Sequence, residues 1–293
     1  MHALNMKKIK FWKMHGLGND FVILDFRKNV TDLRKDQISL IANRKFGLGC
    51  DQLIIIKKGN KFFDVEILMY NSDGSETDTC GNGTRCVASI LFNEKNNAIY
   101  KIKTKAYVVS AWKDKSNKNF ISVDLGTIKT QWHEIPLEKE VNTLFLDLNE
   151  KDLNLASCLS LGNPHTVFFV KDLHNIDIKK IGKNIENHSL FPDKTNVEFV
   201  QILNKKEIIM KVWERGVGIT KACGSGACAA VAASIRRGIT EDTVEVHLDG
   251  GKLKISWINY IKNKNDFSGG KIIMTGPSTF VAKGKIDNSL IYI

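Results

Sequence analysis

Cys80-Gly81-Asn82-Gly83 and Cys223-Gly224-Ser225-Gly226 stand 143 residues apart, each opening a stretch of small residues, and their likeness decides how the chain is organised. Asn71 and Glu214 each lie nine residues before their cysteine, just past two strand-like runs, 64–69 and 207–212. Further upstream the offset becomes 144: Gly18-Asn19 falls on Gly162-Asn163 and Gln52 falls on Asn196, so a one-residue indel reconciles the halves. Stacked repeats have periods of roughly 20–50 residues. An offset this long therefore reads as two duplicated domains, with the two cysteines in equivalent places.

Period-two alternation predicts strands over 8–14, 21–26, 52–57 and 62–70, and apolar residues at helical spacing predict a helix over 36–44. A helix follows Cys80 over 84–92, then short strands at 98–104, 106–112 and 120–125. The second half repeats the order. It has strands up to Val170, a helix over 176–187, strands at 196–202 and 207–214, a helix from Gly224, and strands at 243–248 and 252–257. The fold expected is α+β, with two pseudo-symmetric domains, each a strand-rich, barrel-like sheet wrapped around a central helix. The loop at 126–129 and a turn at Gly276-Pro277 set the boundaries. Residues 6–126 with 277–293 form the half carrying Cys80, including a last strand at 278–283; residues 127–276 form the half carrying Cys223.

At 293 residues, 43% hydrophobic and 26% charged, the chain has the balance of a soluble globular protein with room for two cores. No apolar run approaches the roughly 18 residues of a membrane span. The net charge of +11 comes from lysines scattered among asparagine and isoleucine, with no basic block or aromatic-interleaved stripe, which excludes nucleic acid as a specific partner. Residues 1–5 lack the segments of a signal peptide; they are expected to be a disordered leader, with Met6 an equally good start. Six cysteines without an export signal read as free thiols of a reducing, cytoplasmic compartment. No Cys-x-x-Cys occurs, so no metal site is expected. Cys50, Cys86, Cys158 and Cys228 read as small buried hydrophobes.

Cys80 and Cys223 differ because each stands at a helix start. Unpaired N–H groups and the positive end of the helix dipole favour an anion there, and glycines let it approach the backbone. The same field favours thiolate, drawing a cysteine pKa from about 8.5 toward neutrality. If two such thiols face each other across a cleft, one removes the α-proton of an amino acid from one face while the other protonates the opposite face. Stereo-inversion by such a coupled pair needs no cofactor.

The chain resembles the diaminopimelate epimerase family over 13–286, through Lys13-Met14-His15-Gly16-Leu17-Gly18-Asn19-Asp20-Phe21, Asp51-Gln52, Tyr70-Asn71-Ser72-Asp73-Gly74-Ser75, Gly162-Asn163-Pro164-His165, Thr195-Asn196, Glu214-Arg215-Gly216, Met274-Thr275-Gly276-Pro277 and the two cysteine motifs. The resemblance implies cofactor-independent interconversion of LL- and meso-2,6-diaminopimelate for lysine and peptidoglycan synthesis. It implies Cys80 as proton donor and Cys223 as acceptor in the LL-to-meso direction, with His165 beside Cys80 and Glu214 beside Cys223. The N–H groups of Gly81, Asn82, Gly224 and Ser225 would hold the reacting carboxylate. Asn19, Asn71, Asn163, Asn196 and Arg215, assisted by Gln52, would read the far end of the substrate. Arginine suits that task because its fork binds a carboxylate bidentately.

Asp78-Thr79 and Thr84 depart from the family's commoner apolar-Gln and Ala, which bears on thiol reactivity. Ala282 stands where the family usually has its dimer-contact tyrosine, which bears on a homodimer. Two alternatives share the paired thiols. One is a racemase of proline or hydroxyproline type, whose smaller substrate would not need Arg215 and the amides. The other is a redox module closing a Cys80–Cys223 disulfide, although redox motifs normally use adjacent cysteines.

Overall fold

The computed structural model describes residues 9–28, 32–77, 80–95, 97–150, 153–263, 266–287 and 290. The leader expected at 1–5 and the Asp78-Thr79 pair lie outside them. The chain is mixed α/β, rich in strands with few helices, and divides into two compact units: Met1–Val123 with Pro277–Ile293, and Asp124–Gly276.

In the first unit β1 (Ile9–Gly16) and β2 (Asn19–Asp25) form a hairpin in which Gly16 faces Asn19. Leu17 and Gly18 fill its turn at φ 57° and 85°, the left-handed pair that matches strand twist. A crossover through α1 (Lys35–Ala42) brings β3 (Gln52–Lys58) parallel to β2, and β4 (Val65–Asn71) returns antiparallel. The strand expected from residue 62 begins only at Val65. Asn60 Oδ1 accepts from the Phe62 N–H at 2.8 Å and ties the preceding residues into a turn. There follow β5 (Glu76–Thr77), α2 (Gly81–Glu94), β6 (Tyr100–Lys103), β7 (Val108–Lys113) and β8 (Phe120–Asp124).

Phe21-Val22-Ile23-Leu24 are all 0% exposed, because both faces of β2 are covered. Val22, Leu24, Leu53 and Ile55 share a core with Ile38 and Ile41 of α1. Phe21 and Ile54, on the other face, meet α2: a Cβ on Gly83 would stand 2.6 Å from Ile54 Cδ1 and 3.3 Å from Phe21 Cε1. The second glycine of the Cys80 motif is therefore fixed by packing.

In the second unit β9 (Ser157–Ser160) pairs antiparallel with β10 (Pro164–Val170), and a crossover through α3 (Ile178–Glu186) makes β11 (Asn196–Asn204) parallel to β10. The chain continues through β12 (Glu207–Glu214), β13 (Gly218–Thr220), α4 (Gly224–Arg236), β14 (Thr243–Leu248), β15 (Gly251–Asn263) and β16 (Asp266–Pro277). α4 packs against β9, β10, β11, β12, β14 and β15. That enclosure explains its alanines: residues 227–233 are all 0% exposed, and larger side chains would not fit. Outside the sheet, Ile178, Ile181 and Ile185 of α3 share a core with Val197 and Phe199.

The duplication is visible in register. β2–β3 pair Phe21 with Gln52, and β10–β11 pair His165 with Asn196, both at the 144-residue offset. β16 replaces the turn expected at Gly276-Pro277: the strand runs through that dipeptide, and only Ser278 separates it from β17 (Thr279–Ile286). β17 belongs to the first unit, pairing antiparallel with β1 from Ile9↔Ile286 to His15↔Thr279. Among the described residues no helix is long and apolar enough to cross a membrane.

Candidate active site

Cys80 is the N-cap of α2, with extended backbone (φ −143°, ψ 111°), and its carbonyl accepts the first helical bond, from Thr84 N–H at 2.9 Å. The N–H groups of Gly81 and Asn82 therefore precede the helical ladder. The half-buried thiol donates to Asn19 Oδ1 at 3.7 Å. Asn19 Nδ2 in turn donates to Asp51 Oδ2 at 3.2 Å, and Arg44 bridges Asp51 and Asp20 at 2.7 Å each. Lys13 closes this network on Asp20. Burial alone would raise the Asp20 carboxyl, yet hydrogen bonds from Arg44 and Lys13 hold it far below the usual range. Gln52 and Asn71 face each other across β3 and β4, with Gln52 Nε2 donating to Asn71 Oδ1 at 3.1 Å. Asn71 Nδ2 donates to Ser75 Oγ, and Gln52 Oε1 has no hydrogen-bond partner among the described residues. On α2, Asn82 Oδ1 accepts from Arg85 at 2.9 Å. The first unit thus brings Cys80, Asn19, Gln52, Asn71, Gly81 and Asn82 to one end of its sheet and the start of its helix.

Cys223 caps α4 in the same way, its carbonyl accepting from Ala227 N–H at 3.0 Å. Its Sγ accepts from Gly226 N–H at 3.4 Å and lies 3.5 Å from Ser225 Oγ. A helix terminus alone predicts a depressed thiol pKa, and here the outcome is opposite. Burial, then the nearby Glu214 and Glu198 carboxylates, push Cys223 well above the ordinary range; Ser225 and the Gly226 N–H offset this only in part. Burial also raises Glu214, against hydrogen bonds from Thr220 and Cys223. Glu214 therefore stands beside Cys223.

His165 is fully buried on β10, Nδ1 2.7 Å from Glu198 Oε1 and Nε2 3.1 Å from Asn163 Oδ1. Asn196 Nδ2 donates to Pro164 O at 2.9 Å, and its Oδ1 accepts from Arg215 N–H at 3.0 Å. The exposed Arg215 guanidinium donates to the Asp193 carbonyl at 2.9 Å. Glu186 holds the adjacent turn, accepting from Trp213 Nε1 at 2.7 Å and Gly216 N–H at 2.8 Å. Asn163, His165, Asn196, Glu214, Arg215, Gly224 and Ser225 thus gather at the corresponding end of the second unit.

Two buried carboxylates, Glu198 and Glu186, join the site without having been read from the sequence. A signal for Glu198 existed: it interrupts the apolar run Val197 to Val200, and the offset of 144 places it on Ile54. The other four cysteines are buried and form no disulfide; burial raises Cys50 to about 11 and Cys86 and Cys158 to about 12, so those three are inert thiols near neutrality. Glu207, Glu245 and His247 each offer a ligand atom within 4.8 Å of the others, but Lys252 Nζ already sits 2.6 Å from Glu245 Oε1 as the cation of that group.

Against known proteins, the sequence model of the family described as Diaminopimelate epimerase matches residues 11–131 and 157–281, which includes both cysteine motifs. The chain belongs to the diaminopimelate epimerase family. It is 44% identical over 254 residues to a diaminopimelate epimerase of Pelagibacter ubique, covering 85% of this chain and 91% of the relative. It is 38% identical over 283 residues to that of Rhodospirillum centenum, covering 96% and 94%. Among solved structures, a hydroxyproline epimerase from Agrobacterium vitis with bound trans-4-hydroxy-L-proline superposes at a TM-score of 0.69, covering 99% of this chain and 96% of that one. At 10% identity that likeness speaks for the fold alone. Membership of an epimerase family replaces the redox-module alternative.

Proposed function

We propose that the protein epimerises LL-2,6-diaminopimelate to meso-2,6-diaminopimelate in the cytoplasm, serving lysine and peptidoglycan synthesis. The observation that carries this is the pair of cysteine N-caps, each at the start of a largely buried helix, with Asn19 on the Cys80 thiol and Glu214 beside Cys223. In the LL-to-meso direction Cys223, as thiolate, takes the α-proton, breaking the Cα–H bond. The electron pair passes into the carboxylate, which the N–H groups of Gly81, Asn82, Gly224 and Ser225 hold. Cys80 then donates its proton to the opposite face, so turnover leaves Cys80 as thiolate and Cys223 as thiol; loss of the Cys223 proton to solvent and uptake of one by Cys80 reset the pair for the next forward turnover, while the reverse reaction starts from the state turnover leaves. Burial makes Cys223 a strong base once ionised, and the substrate's α-ammonium supplies compensating positive charge. Both proton transfers are supplied by side chains, so the scheme calls for no cofactor or metal.

Asn19, Gln52, Asn71, Asn163, Asn196 and Arg215 are assigned to the distal carboxylate and ammonium. Glu214 tunes Cys223, and His165, which the resemblance set beside Cys80, is held by Glu198 and Asn163 within the second unit. The functional assembly is proposed to be a homodimer. The test is purified protein with LL-diaminopimelate in heavy water and nothing else added. Epimerisation with one deuteron entering at the inverted α-carbon is expected, and it should be lost in both Cys80→Ala and Cys223→Ala. Full activity in either variant would remove the two-base mechanism.

A further inference from the structure

The duplicated halves fill one structural slot in chemically opposite ways. In the first unit, Phe21 of β2 and Ile54 of β3 lie against the second glycine of the cysteine motif, Gly83. At offsets of 144, 144 and 143 these positions become His165 of β10, Glu198 of β11 and Gly226. A Cβ on Gly226 would stand 2.8 Å from Glu198 Oε1 and 3.3 Å from Cys223 Sγ, as one on Gly83 would stand 2.6 Å from Ile54 Cδ1. The architecture is thus satisfied by a hydrocarbon pair, and the second unit holds a carboxyl and an imidazole there instead, both 0% exposed. Burying such a pair is no gain in stability over well-packed hydrocarbon. Glu198 Oε2 also has no hydrogen-bond partner among the described residues, so the slot is not even optimised as a polar network.

We propose that Glu198 is a positioning residue for the epimerisation, holding with His165 one shared proton behind Cys223 and so fixing the protonation state in which that thiol meets the substrate. The inference rests on the epimerase function proposed above. With Nε2 turned to Asn163 Oδ1, His165 Nε2–H donates, and the proton between Nδ1 and Glu198 Oε1 is the one the pair shares. While that proton is held, the pair carries no net charge. When it is lost, a buried anion remains beside Cys223 and opposes thiolate formation. The titratable groups facing Glu198 are His165 on β10, Glu214 on β12, Cys223 at the start of α4 and Cys158 on β9; Arg236 and Arg237 act on Cys158 in turn. His165 is the one of the four facing groups that can carry positive charge.

The test is alkylation of Cys223 in the full-length protein, followed by peptide-resolved mass spectrometry from pH 6 to 11, together with epimerisation kinetics. Glu198→Gln keeps the shape and removes the charge. In the alkaline range where Cys223 ionises the pair has lost its proton, so removing the Glu198 anion is expected to lower the Cys223 alkylation midpoint by at least about one pH unit, and the weaker base to lower kcat while KM holds. The double variant Glu198→Ile with His165→Phe installs the pair the first unit already uses. It is expected to fold, to show the same downward movement of the Cys223 midpoint, and to lose epimerisation. An unmoved midpoint in these variants, or full kcat in Glu198→Gln, would overturn the proposal. Alkylation needs no substrate, so a failed diaminopimelate assay would leave this test standing on its own.

Discussion

Gly226→Ala puts one methyl group where the structure has no room. The new Cβ would lie 2.8 Å from Glu198 Oε1 and 3.3 Å from Cys223 Sγ, both inside van der Waals contact. Alanine favours the helix by up to about 1 kcal/mol. Against that, overpacking costs about 1–3 kcal/mol, and disturbing the Glu198–His165 bond about 1.5–3 kcal/mol more. The net expectation is a loss of roughly 1.5–5 kcal/mol, or about 3–20 °C of Tm at about 2–4 °C per kcal/mol. Activity should fall further than stability, since displacing a catalytic group by about 1 Å costs on the order of 10²-fold. The assay pairs urea unfolding with LL-diaminopimelate epimerisation below the transition. Gly83→Ala is the first comparison: its Cβ meets the Ile54 Cδ1 methyl, hydrocarbon that can rotate away, so the activity loss should be smaller. Gly238→Ala is the second, because nothing lies within 4 Å of its Cβ and only the left-handed φ of 69° opposes the change. It should cost about 1–2 kcal/mol and leave kcat/KM intact. Full activity in Gly226→Ala, or equal inactivation by Gly238→Ala, would refute the reasoning.

Arg215→Lys should lower kcat/KM for diaminopimelate by about 10- to 100-fold, chiefly through KM, because a point charge replaces a bidentate fork; unchanged KM would exclude Arg215 from the distal carboxylate. Glu186→Ala removes the acceptor of the half-buried Trp213 Nε1–H and of the Gly216 N–H, and should cost about 1–3 kcal/mol in urea unfolding with a secondary rise in KM as the Arg215 turn loosens. Stability should also fall in alkali. Cys50, Cys86 and Cys158 have folded pKa values raised to about 11, 12 and 12, above those of the unfolded thiols, so their contribution is complete below about pH 9 and is lost as pH rises through the folded values. Between pH 8 and 10 the loss should be about 2 kcal/mol per thiol; equal urea midpoints at the two pH values would contradict it.

The helix starts, the paired amides and the repeat were legible because glycine, asparagine and cysteine at fixed spacing have few structural uses. What escaped did so for physical reasons. β16 was hidden because Gly269 and Gly270, at φ 70° and 69°, look like loop residues in sequence while serving as an irregularity within a long hairpin. The turn at Asn60 was hidden by the apolar Phe62-Phe63 beside it, although Phe62 is 67% exposed. The elevated Cys223 pKa was unreadable because the dipole of α4 is local to the sequence, whereas burial and the Glu198 and Glu214 carboxylates come from strands brought in by the fold. Glu198 itself lay in plain view as a charge inside an apolar strand, and comparing it with Ile54 in the other half would have singled it out.

β17 has a consequence for biogenesis. The second unit is one continuous stretch, whereas the first unit needs the strand that follows that stretch before β1 gains its partner along Ile9↔Ile286. The amino-terminal half therefore keeps its β1 edge open until residues 279–286 are free to pair with it. A nascent chain arrested shortly after Gly276 would expose that edge to proteases and chaperones, and a stop codon there would cripple the portion of the protein that was translated first.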